Sequence, residues 1–470
     1  MNISLLWANP PAHRNIGALE LDSFSNLRIH EATDRMGEGV EEKLDEQQLI
    51  ALSRTGAEDI RLRQGILKDF IDNGLSPVLQ RTVKEISQLR ECAKPAPLSP
   101  LMRGDTVYTP NKNYLLLKKY YGIVSTLSES LKSSSLASDG LRGLLRELEE
   151  ISQKQKLDRL GVCLKEIDAY WKPVHGVVLG MNLGPGLSPQ AATLKEILTG
   201  TDGYEPLSPH KDLTGADRLS ASGEVHTLNY KCFGILESWL HNMISGAKSQ
   251  EIRKLKHDIA PFEGLDFTWL YELREQLLVY LYGCNWHQIL TQSGWAHCLP
   301  EISESGALSL EGFCSPSIAL KKGNRAVAND LSTEPDETVA VITGANSSGK
   351  TTLLRAIGAN RFLFQLGFHV IAASACIPVA NGIYTLFAGS ENDDNSRFAD
   401  EVRVTEQIRT AVQPGSLVLL NEPYTSTNPQ EAQALIVRLI GELRERGACC
   451  VCAVSYTHLD VYKRQMSPLP

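Results

Sequence analysis

Apolar residues in the first 300 positions recur every three or four residues, which is the spacing of one face of an α-helix. Such stripes predict helices across about 50–170 and again across about 229–296. A short run at 176–183 predicts a strand. The Gly-, Ser- and Pro-dotted stretch after it predicts loops with one small helix near 193–198. The clearest helical stripe consists of Leu141, Leu144, Leu145, Leu148 and Ile151.

From about residue 300 onward, short apolar runs alternate with helical stretches. Alternation of this kind predicts a mostly parallel sheet covered by helices. The expected fold is therefore multidomain, with an all-α part over 46–300 followed by an α/β domain over 301–454, after a short N-terminal segment, 1–45. The predicted strands are 339–343, 370–373, 383–388, 417–420 and 449–454, and the helices between them begin near 349, 399 and 430.

The strand 339–343 leads into a segment, Gly344 to Thr351, that matches G-x-x-x-x-G-K-[ST]. Backbone N–H groups of such a loop, with the N-terminus of the following helix, can hold phosphate oxygens. Lys350 would contact the β- and γ-phosphates and assist catalysis, and Thr351 would ligate Mg²⁺. The sequence thus predicts a site for ATP and Mg²⁺. The expected nucleotide-binding residues are Gly344, Ala345, Asn346, Ser347, Ser348, Gly349, Lys350, Thr351 and Thr352.

A polar pair, Asn421 and Glu422, ends the apolar strand 417–420. In P-loop ATPases the first position is usually Asp, which holds Mg²⁺, and a following Glu orients the attacking water. Asn421 is therefore a predicted metal position and Glu422 the predicted catalytic base. Because an amide brings no charge, we expect weaker Mg²⁺ binding and slow hydrolysis. The alternative is that this strand end forms only a surface turn and that the polar pair has no catalytic role.

Composition excludes several classes of protein. The chain has 55 acidic residues against 47 Lys plus Arg, a formal net charge of −8, so it is not a polycation that coats nucleic acid. No apolar run of about 18 residues and no basic leader is present, so neither membrane spanning nor secretion is indicated. The C-x-x-C formed by Cys449 and Cys452 lies in an apolar run, which favours a buried strand over a zinc or redox site. These features indicate a cytoplasmic protein.

The P-loop segment, the acidic segment 390–401 and the strand ending in Asn421 and Glu422 follow one another in an order that resembles the ATPase domain of MutS-type DNA mismatch repair proteins. Taken alone, the acidic segment would be a solvated helix cap. Weaker likenesses lie upstream, in 315–318, 327–330 and 61–67.

This resemblance implies an ATPase that forms a homodimer through its ATPase domains and couples ATP to clamping of mismatched or branched DNA in repair or recombination. It places Ser396 at the signature position that meets the partner's γ-phosphate. Arg397 stands where that family usually has a small hydroxyl residue, and the glycine before the serine is missing. Another P-loop ATPase with a helical insertion, or a nucleotide-gated scaffold without DNA binding, remains an alternative.

The two ends of the chain also differ from that family's pattern. Residues 1–45 are too few for a mismatch-reading domain, so a MutS-like protein lacking that reader is expected. Residues 455–470 resemble a segment that recurs at the broken ends of unrelated assembled sequences, so they are expected to be a foreign tail that does not belong to this protein. DNA contacts are expected from local basic residues in 226–260, namely Lys231, Lys248, Arg253, Lys254 and Lys256. For each lysine taken singly, an ordinary solvated helix face is the alternative.

Overall fold

The structure, a computed structural model, describes residues 4–8, 16–41, 43–94, 108–186, 189–199, 240, 243–321, 326–387, 394–425 and 427–455. The chain divides into two compact units. The first, called the helical unit, is built from 81–133 and 145–274, and the second, called the α/β unit, from 2–80, 134–144 and 275–470. Among the described helices, none is long and apolar enough to cross a membrane.

The helical unit takes its core from amphipathic helices, as the apolar stripes predict. Tyr120, Ile123 and Leu164 are at least 96% buried between helices, and Leu255 is fully buried. Its helices are α5 (Ser76–Ala93), α6 (Tyr108–Lys132), α7 (Asp139–Lys154), α8 (Leu157–Tyr170), α9 (Ser249–Ile259) and α10 (Trp269–Ser293), of which α5, α7 and α10 contribute residues to both units.

A β-hairpin interrupts the helices of this unit. Strand β1 (Val174–Leu183) confirms the predicted strand and pairs antiparallel with β2 (Pro189–Thr199). The small helix predicted near 193–198 is therefore wrong, because these residues belong to β2. Its backbone groups are paired across the hairpin, for example Thr193 with Gly180, and such pairing overrides a weak local helical pattern.

The α/β unit contains the predicted parallel sheet. Its strands run in the order β6 (Val339–Gly344), β10 (Cys449–Ser455), β9 (Leu417–Asn421) and β8 (Ile383–Phe387), and every pairing is parallel. Connecting helices are α12 (Lys350–Gln365), α13 (Asp394–Ala411) and α14 (Pro429–Glu445). Four of the five predicted strands and all three helices are confirmed within a few residues.

The remaining predicted strand, 370–373, is wrong. Val370 makes only an isolated antiparallel bridge to Cys298, and strand β7 begins later, at Ser374–Ile377. Val370, Ile371 and Ala372 are fully buried, and the N–H groups of the run are satisfied outside a strand ladder. Ile371 donates to the Asn360 side chain and Ala373 to the Glu311 carbonyl.

Strand β7 belongs to a second, mixed sheet that the sequence analysis did not foresee. This sheet has the order β3 (Glu301–Ile302), β7, β4 (Leu308–Phe313) and β5 (Asn329–Thr333), and a short helix, α11 (Pro316–Ala319), follows β4. The part of the chain that the structure describes is therefore mixed, with several helices and three small sheets.

The N-terminal helices also pack in the α/β unit. They are α1 (Ala18–Asn26), α2 (Ile29–Met36), α3 (Glu46–Ser53) and α4 (Ala57–Asp72). Helix α1 lies along the edge strand β8, where the Thr385 N–H donates to Ser23 Oγ at 3.0 Å. Asn26 Nδ2 donates to Thr385 Oγ1 at 2.9 Å. Helix α1 thus covers a sheet edge that would otherwise expose unpaired backbone groups.

The C-x-x-C pair lies in β10, as the buried-strand interpretation predicts. Cys452 and its neighbour Cys450 are at least 99% buried, whereas Cys449 is half-buried, and burial raises the pKa of Cys452 to about 12. A thiol with such a pKa stays protonated and unreactive at neutral pH.

Candidate functional site

The P-loop connects β6 to α12 through a tight turn. Gly349, the residue before the helix, has φ 96°, and Ser347 has φ 62°. Glycine is needed at 349 because other residues rarely adopt that φ. At Gly344 the reason is space, since an added Cβ would lie 2.7 Å from Ser348 Oγ. The turn therefore brings backbone close to the space where phosphate oxygens would lie.

Lys350 fills the centre of this loop. Its Nζ donates to the carbonyl oxygens of Gly344 and Ala345, each at 2.9 Å. The same Nζ lies 3.0 Å from Glu422 Oε1, in an ion pair whose lysine side chain is only 5% exposed. Two carbonyl dipoles and one carboxylate thus compensate the burial of the ammonium. The structure brings both predicted catalytic residues into direct contact.

The two predicted metal positions also meet. Thr351 Oγ1 donates a hydrogen bond to Asn421 Oδ1 at 2.9 Å, although the residues are 70 apart in sequence. The parallel topology explains this contact. Strand β10 pairs with β6 on one side and β9 on the other, so the carboxyl ends of β6 and β9 reach the same edge of the sheet.

The donor set at this edge fits Mg²⁺ bound together with a nucleotide. A hydroxyl, an amide oxygen and the Glu422 carboxylate are hard oxygen ligands of the type Mg²⁺ prefers. In the described ranges no group of three or more His, Cys, Asp or Glu side chains could hold a metal ion alone. Mg²⁺ commonly keeps several waters and takes other ligands from substrate phosphates, which agrees with so few protein donors.

The loop after β9 has an unusual backbone. Glu422 has φ 47° and Tyr424 φ 62°, with Pro423 between them. A left-handed conformation costs roughly 1–2 kcal/mol for a residue other than glycine, so surrounding bonds must hold the loop. The Glu422 N–H donates to the Ala453 carbonyl at 3.0 Å, and the Tyr424 N–H donates to Glu401 Oε2 at 2.7 Å.

The sequence pattern does not predict the part that α13 plays in this loop. Glu401 ends the acidic segment, and no sequence motif includes Thr405 or Tyr424. In the structure, all three side chains are at least 95% buried and lie together. The i, i+4 spacing of Glu401 and Thr405 on one helix face was the available signal, but it did not identify the third residue.

The remaining predicted site residues lie where the pattern places them, as far as the structure describes them. Asn346 and Ser348 lie in the turn, and Thr352 follows Thr351 in the first turn of α12. Ser396 lies in the first turn of α13, and its side chain is outside the described part.

The predicted DNA-contacting residues are in the helical unit. Lys231 lies outside the described residues, whereas Lys248 precedes α9, which carries Arg253, Lys254 and Lys256. Lys254 Nζ lies 4.0 Å from the centroid of the Tyr170 ring. The Arg253 side chain is exposed and available to solvent.

Comparison with known proteins identifies the family of the P-loop region. Residues 340–469 match the family model of MutS domain V. Residues 456–469 of that range are outside the described structure, so the foreign tail predicted for 455–470 stays a prediction.

Three curated relatives match larger parts of the chain, and each carries the name Endonuclease MutS2. The protein from Solidesulfovibrio magneticus is 28% identical over 251 residues, 52% of this chain and 31% of the relative. That from Halothermothrix orenii is 28% identical over 166 residues, 35% of this chain and 20% of the relative. That from Streptococcus gordonii is 31% identical over 167 residues, 35% and 21% of the two chains.

The matched part of the chain therefore covers less than a third of the length of these relatives. The domain V match coincides with the parallel sheet that brings Thr351 to Asn421 and Lys350 to Glu422. Sequence and structure thus agree on the same region, and residues 340–469 of the chain are similar to domain V of the MutS family.

Proposed function

We propose that this protein binds ATP with Mg²⁺ at the P-loop and hydrolyses it, and that it couples nucleotide state to DNA binding in repair or recombination. The observation that carries the proposal is the meeting of four predicted residues at one edge of the parallel sheet. Lys350 contacts Glu422 at 3.0 Å, and Thr351 contacts Asn421 at 2.9 Å. The folding of a turn and of a strand end 70 residues away does not by itself require Lys, Thr, Asn and Glu side chains to meet, so their contact supports a functional role.

The ion pair suggests how ATP engages the site. In the structure Lys350 is bound to Glu422 and to two loop carbonyls. Phosphate oxygens carry more charge than those carbonyls, so they compete for the ammonium. When Lys350 turns to the β- and γ-phosphates, Glu422 becomes available to accept a hydrogen bond from the attacking water.

Thr351 and Asn421 would hold Mg²⁺. When bound, the ion neutralises charge on the β- and γ-phosphates. The Thr351 hydroxyl donates to Asn421 in the structure, and metal binding would require its oxygen lone pair to face the ion instead. Asn421 contributes an oxygen but no charge, so we expect a high Mg²⁺ requirement.

Dimerisation and DNA binding are proposed from the family. Ser396 would meet the γ-phosphate held by a second copy of the chain, and mismatched or branched duplex DNA would be the nucleic-acid partner. Support within the helical unit comes from the basic residues of α9, of which Arg253 is exposed. Contacts made by such residues to phosphates would not distinguish sequences.

Asn421 favours one second candidate, a nucleotide-gated scaffold that binds ATP with little turnover. The carboxylate that usually holds Mg²⁺ is missing at that position. A measured turnover that rises when Mg²⁺ is raised well above its usual level would favour the ATPase, whereas tight ATP binding with no turnover at any Mg²⁺ level would favour the scaffold.

Nucleotide binding is tested by isothermal titration calorimetry with Mg²⁺ and ATP on the whole chain. We expect Lys350→Ala to weaken ATP binding severely, because it removes the ammonium that contacts the phosphates. The matched control is Lys321→Ala, which removes an exposed lysine of the same unit. Equal ATP affinity in wild-type and Lys350→Ala proteins would contradict the proposed nucleotide site.

A further inference from the structure

The loop that carries Glu422 is held from α13. Tyr424, two residues after Glu422, donates its N–H to Glu401 Oε2 at 2.7 Å. Its hydroxyl lies 2.7 Å from Thr405 Oγ1, one helical turn after Glu401. The Phe398 ring contacts the Tyr424 ring, with centroids 6.2 Å apart. Three residues of α13 therefore contact Tyr424.

The directions of these hydrogen bonds can be assigned. Thr405 Oγ1 donates to the Glu401 carbonyl at 2.7 Å, which uses its only hydroxyl hydrogen. The Tyr424 hydroxyl must then donate to Thr405. Burial raises the pKa of Tyr424, so its hydroxyl keeps the proton that this bond needs at neutral pH.

These contacts hold the part of the loop whose backbone conformation is least favourable. Glu422 and Tyr424 both have positive φ, and Pro423 between them has no N–H with which to anchor the loop. The Glu422 N–H is bound to Ala453, which fixes the start of the loop. The bonds from Glu401 and Thr405 fix its other end.

We propose that Glu401 is a positioning residue for ATP hydrolysis, which holds the Glu422 carboxylate in its working orientation by anchoring the backbone of Tyr424. Tyr424 and Thr405 add a second anchor to the same helix. The inference rests on the proposed ATPase function and extends it to residues that do not touch the nucleotide.

The anchor also connects two parts of the site. Ser396, the proposed contact for the γ-phosphate of a second copy, lies on α13 five residues before Glu401.

The test compares steady-state ATP hydrolysis and calorimetric ATP affinity in full-chain variants. Glu401→Ala removes the acceptor for the Tyr424 N–H. Misplacing a catalytic group by a fraction of an ångström costs turnover more than binding, so we expect kcat to fall roughly tenfold or more. KM and ATP affinity should stay within about threefold of wild type.

Rescue separates positioning from a general structural role. In Glu401→Gln the amide oxygen can still accept the Tyr424 N–H, so kcat should return to within about threefold of wild type. Tyr424→Phe removes only the hydroxyl anchor and should lower kcat less than Glu401→Ala does. The control Glu406→Ala removes an exposed carboxylate from the same helix and should leave kcat unchanged.

Three outcomes would overturn the inference. One is wild-type kcat in Glu401→Ala. Another is a parallel loss of kcat and ATP affinity that Glu401→Gln does not rescue. If Glu401→Ala does not fold, an unchanged kcat in folded Tyr424→Phe is the third. Glu422→Gln, measured alongside, separates the positioning inference from the ATPase proposal. If Glu422→Gln loses hydrolysis but Glu401→Ala keeps the wild-type kcat, only the positioning inference is refuted. A wild-type protein without hydrolysis refutes both.

Discussion

Replacing Asn421 by Asp would supply the charge that the proposed Mg²⁺ site lacks. The two side chains have nearly the same shape, and the carboxylate of the variant could still accept the hydrogen bond that Thr351 donates to Asn421 at 2.9 Å. The substitution therefore adds one negative charge beside the Mg²⁺ position without removing a known contact. We expect the Mg²⁺ concentration for half-maximal hydrolysis to fall.

The size of the effect follows from Coulomb's law. Two unit charges 4 Å apart attract by about 1 kcal/mol in water, so a carboxylate and a divalent ion attract by about 2 kcal/mol. Asn421 is partly exposed, and we take the aqueous value because it is the smallest of the range. Since about 1.4 kcal/mol is a factor of ten, the Mg²⁺ requirement should fall roughly 10- to 30-fold.

The assay is steady-state ATP hydrolysis over a Mg²⁺ titration at saturating ATP. The control, Gln413→Glu, adds the same charge at an exposed position shortly before the amino end of β9, at the end of the strand away from the site. It should leave the requirement unchanged. An unchanged or higher requirement in Asn421→Asp would refute the assignment of Asn421 to the metal site.

Three further predictions concern other parts of the chain. Gly349→Ala should lower the free energy of unfolding, measured by denaturant titration, by about 1–2 kcal/mol, because φ 96° strains alanine although its Cβ would meet nothing within 4 Å. The control Gly441→Ala, inside α14, should instead raise the free energy of unfolding by about 0.5–1 kcal/mol. The His369 ring, whose centroid lies 4.6 Å from that of His287 and 5.5 Å from that of His297, has its pKa lowered from 6.5 to about 3, chiefly by burial, so the unfolded chain binds the additional proton between those values. Stability should therefore fall by about 1.4 kcal/mol per pH unit as pH drops from 6.5 to 3, and thermal melts of His369→Phe across that range should show a shallower slope. Binding to homoduplex, mismatched and branched DNA should weaken steeply with salt, and Arg253→Ala should reduce the salt slope by about one unit for all three DNAs in an anisotropy titration.

The parallel sheet and the contacts between the four candidate site residues were predictable because their signals are local. The strand before Gly344, the glycines of the turn and the polar pair after β9 each follow from a few adjacent residues. The strand order then brings Thr351 and Asn421 together, which the general rule for the carboxyl ends of parallel strands anticipates.

Other features depend on long-range pairing and were not predictable. Residues 370–372 of the apolar run are buried without being a strand, because Asn360 and Glu311 satisfy backbone groups of the run. Residues 193–198 became strand because Gly180 and its neighbours offered a partner. The hydrogen bond from the Tyr424 N–H to Glu401 joins residues 23 apart in sequence, and no periodic pattern predicts it.

Single-turnover hydrolysis by Glu422→Gln tests the central claim most directly. Glu422 is the residue to which both the ATPase proposal and the positioning inference assign the chemistry. The variant removes a carboxylate that pairs with Lys350, so ATP affinity should stay equal or become tighter. Glu445→Gln, an exposed substitution at the end of α14, is the matched control.

We expect Glu422→Gln to bind ATP but to hydrolyse it at least about 100-fold more slowly than wild type, because a group that positions the attacking water is lost. Glu445→Gln should hydrolyse ATP at the wild-type rate. Hydrolysis by Glu422→Gln at the wild-type rate would contradict the account, because the chemistry would then not depend on the residue that the parallel sheet and its loop place against Lys350.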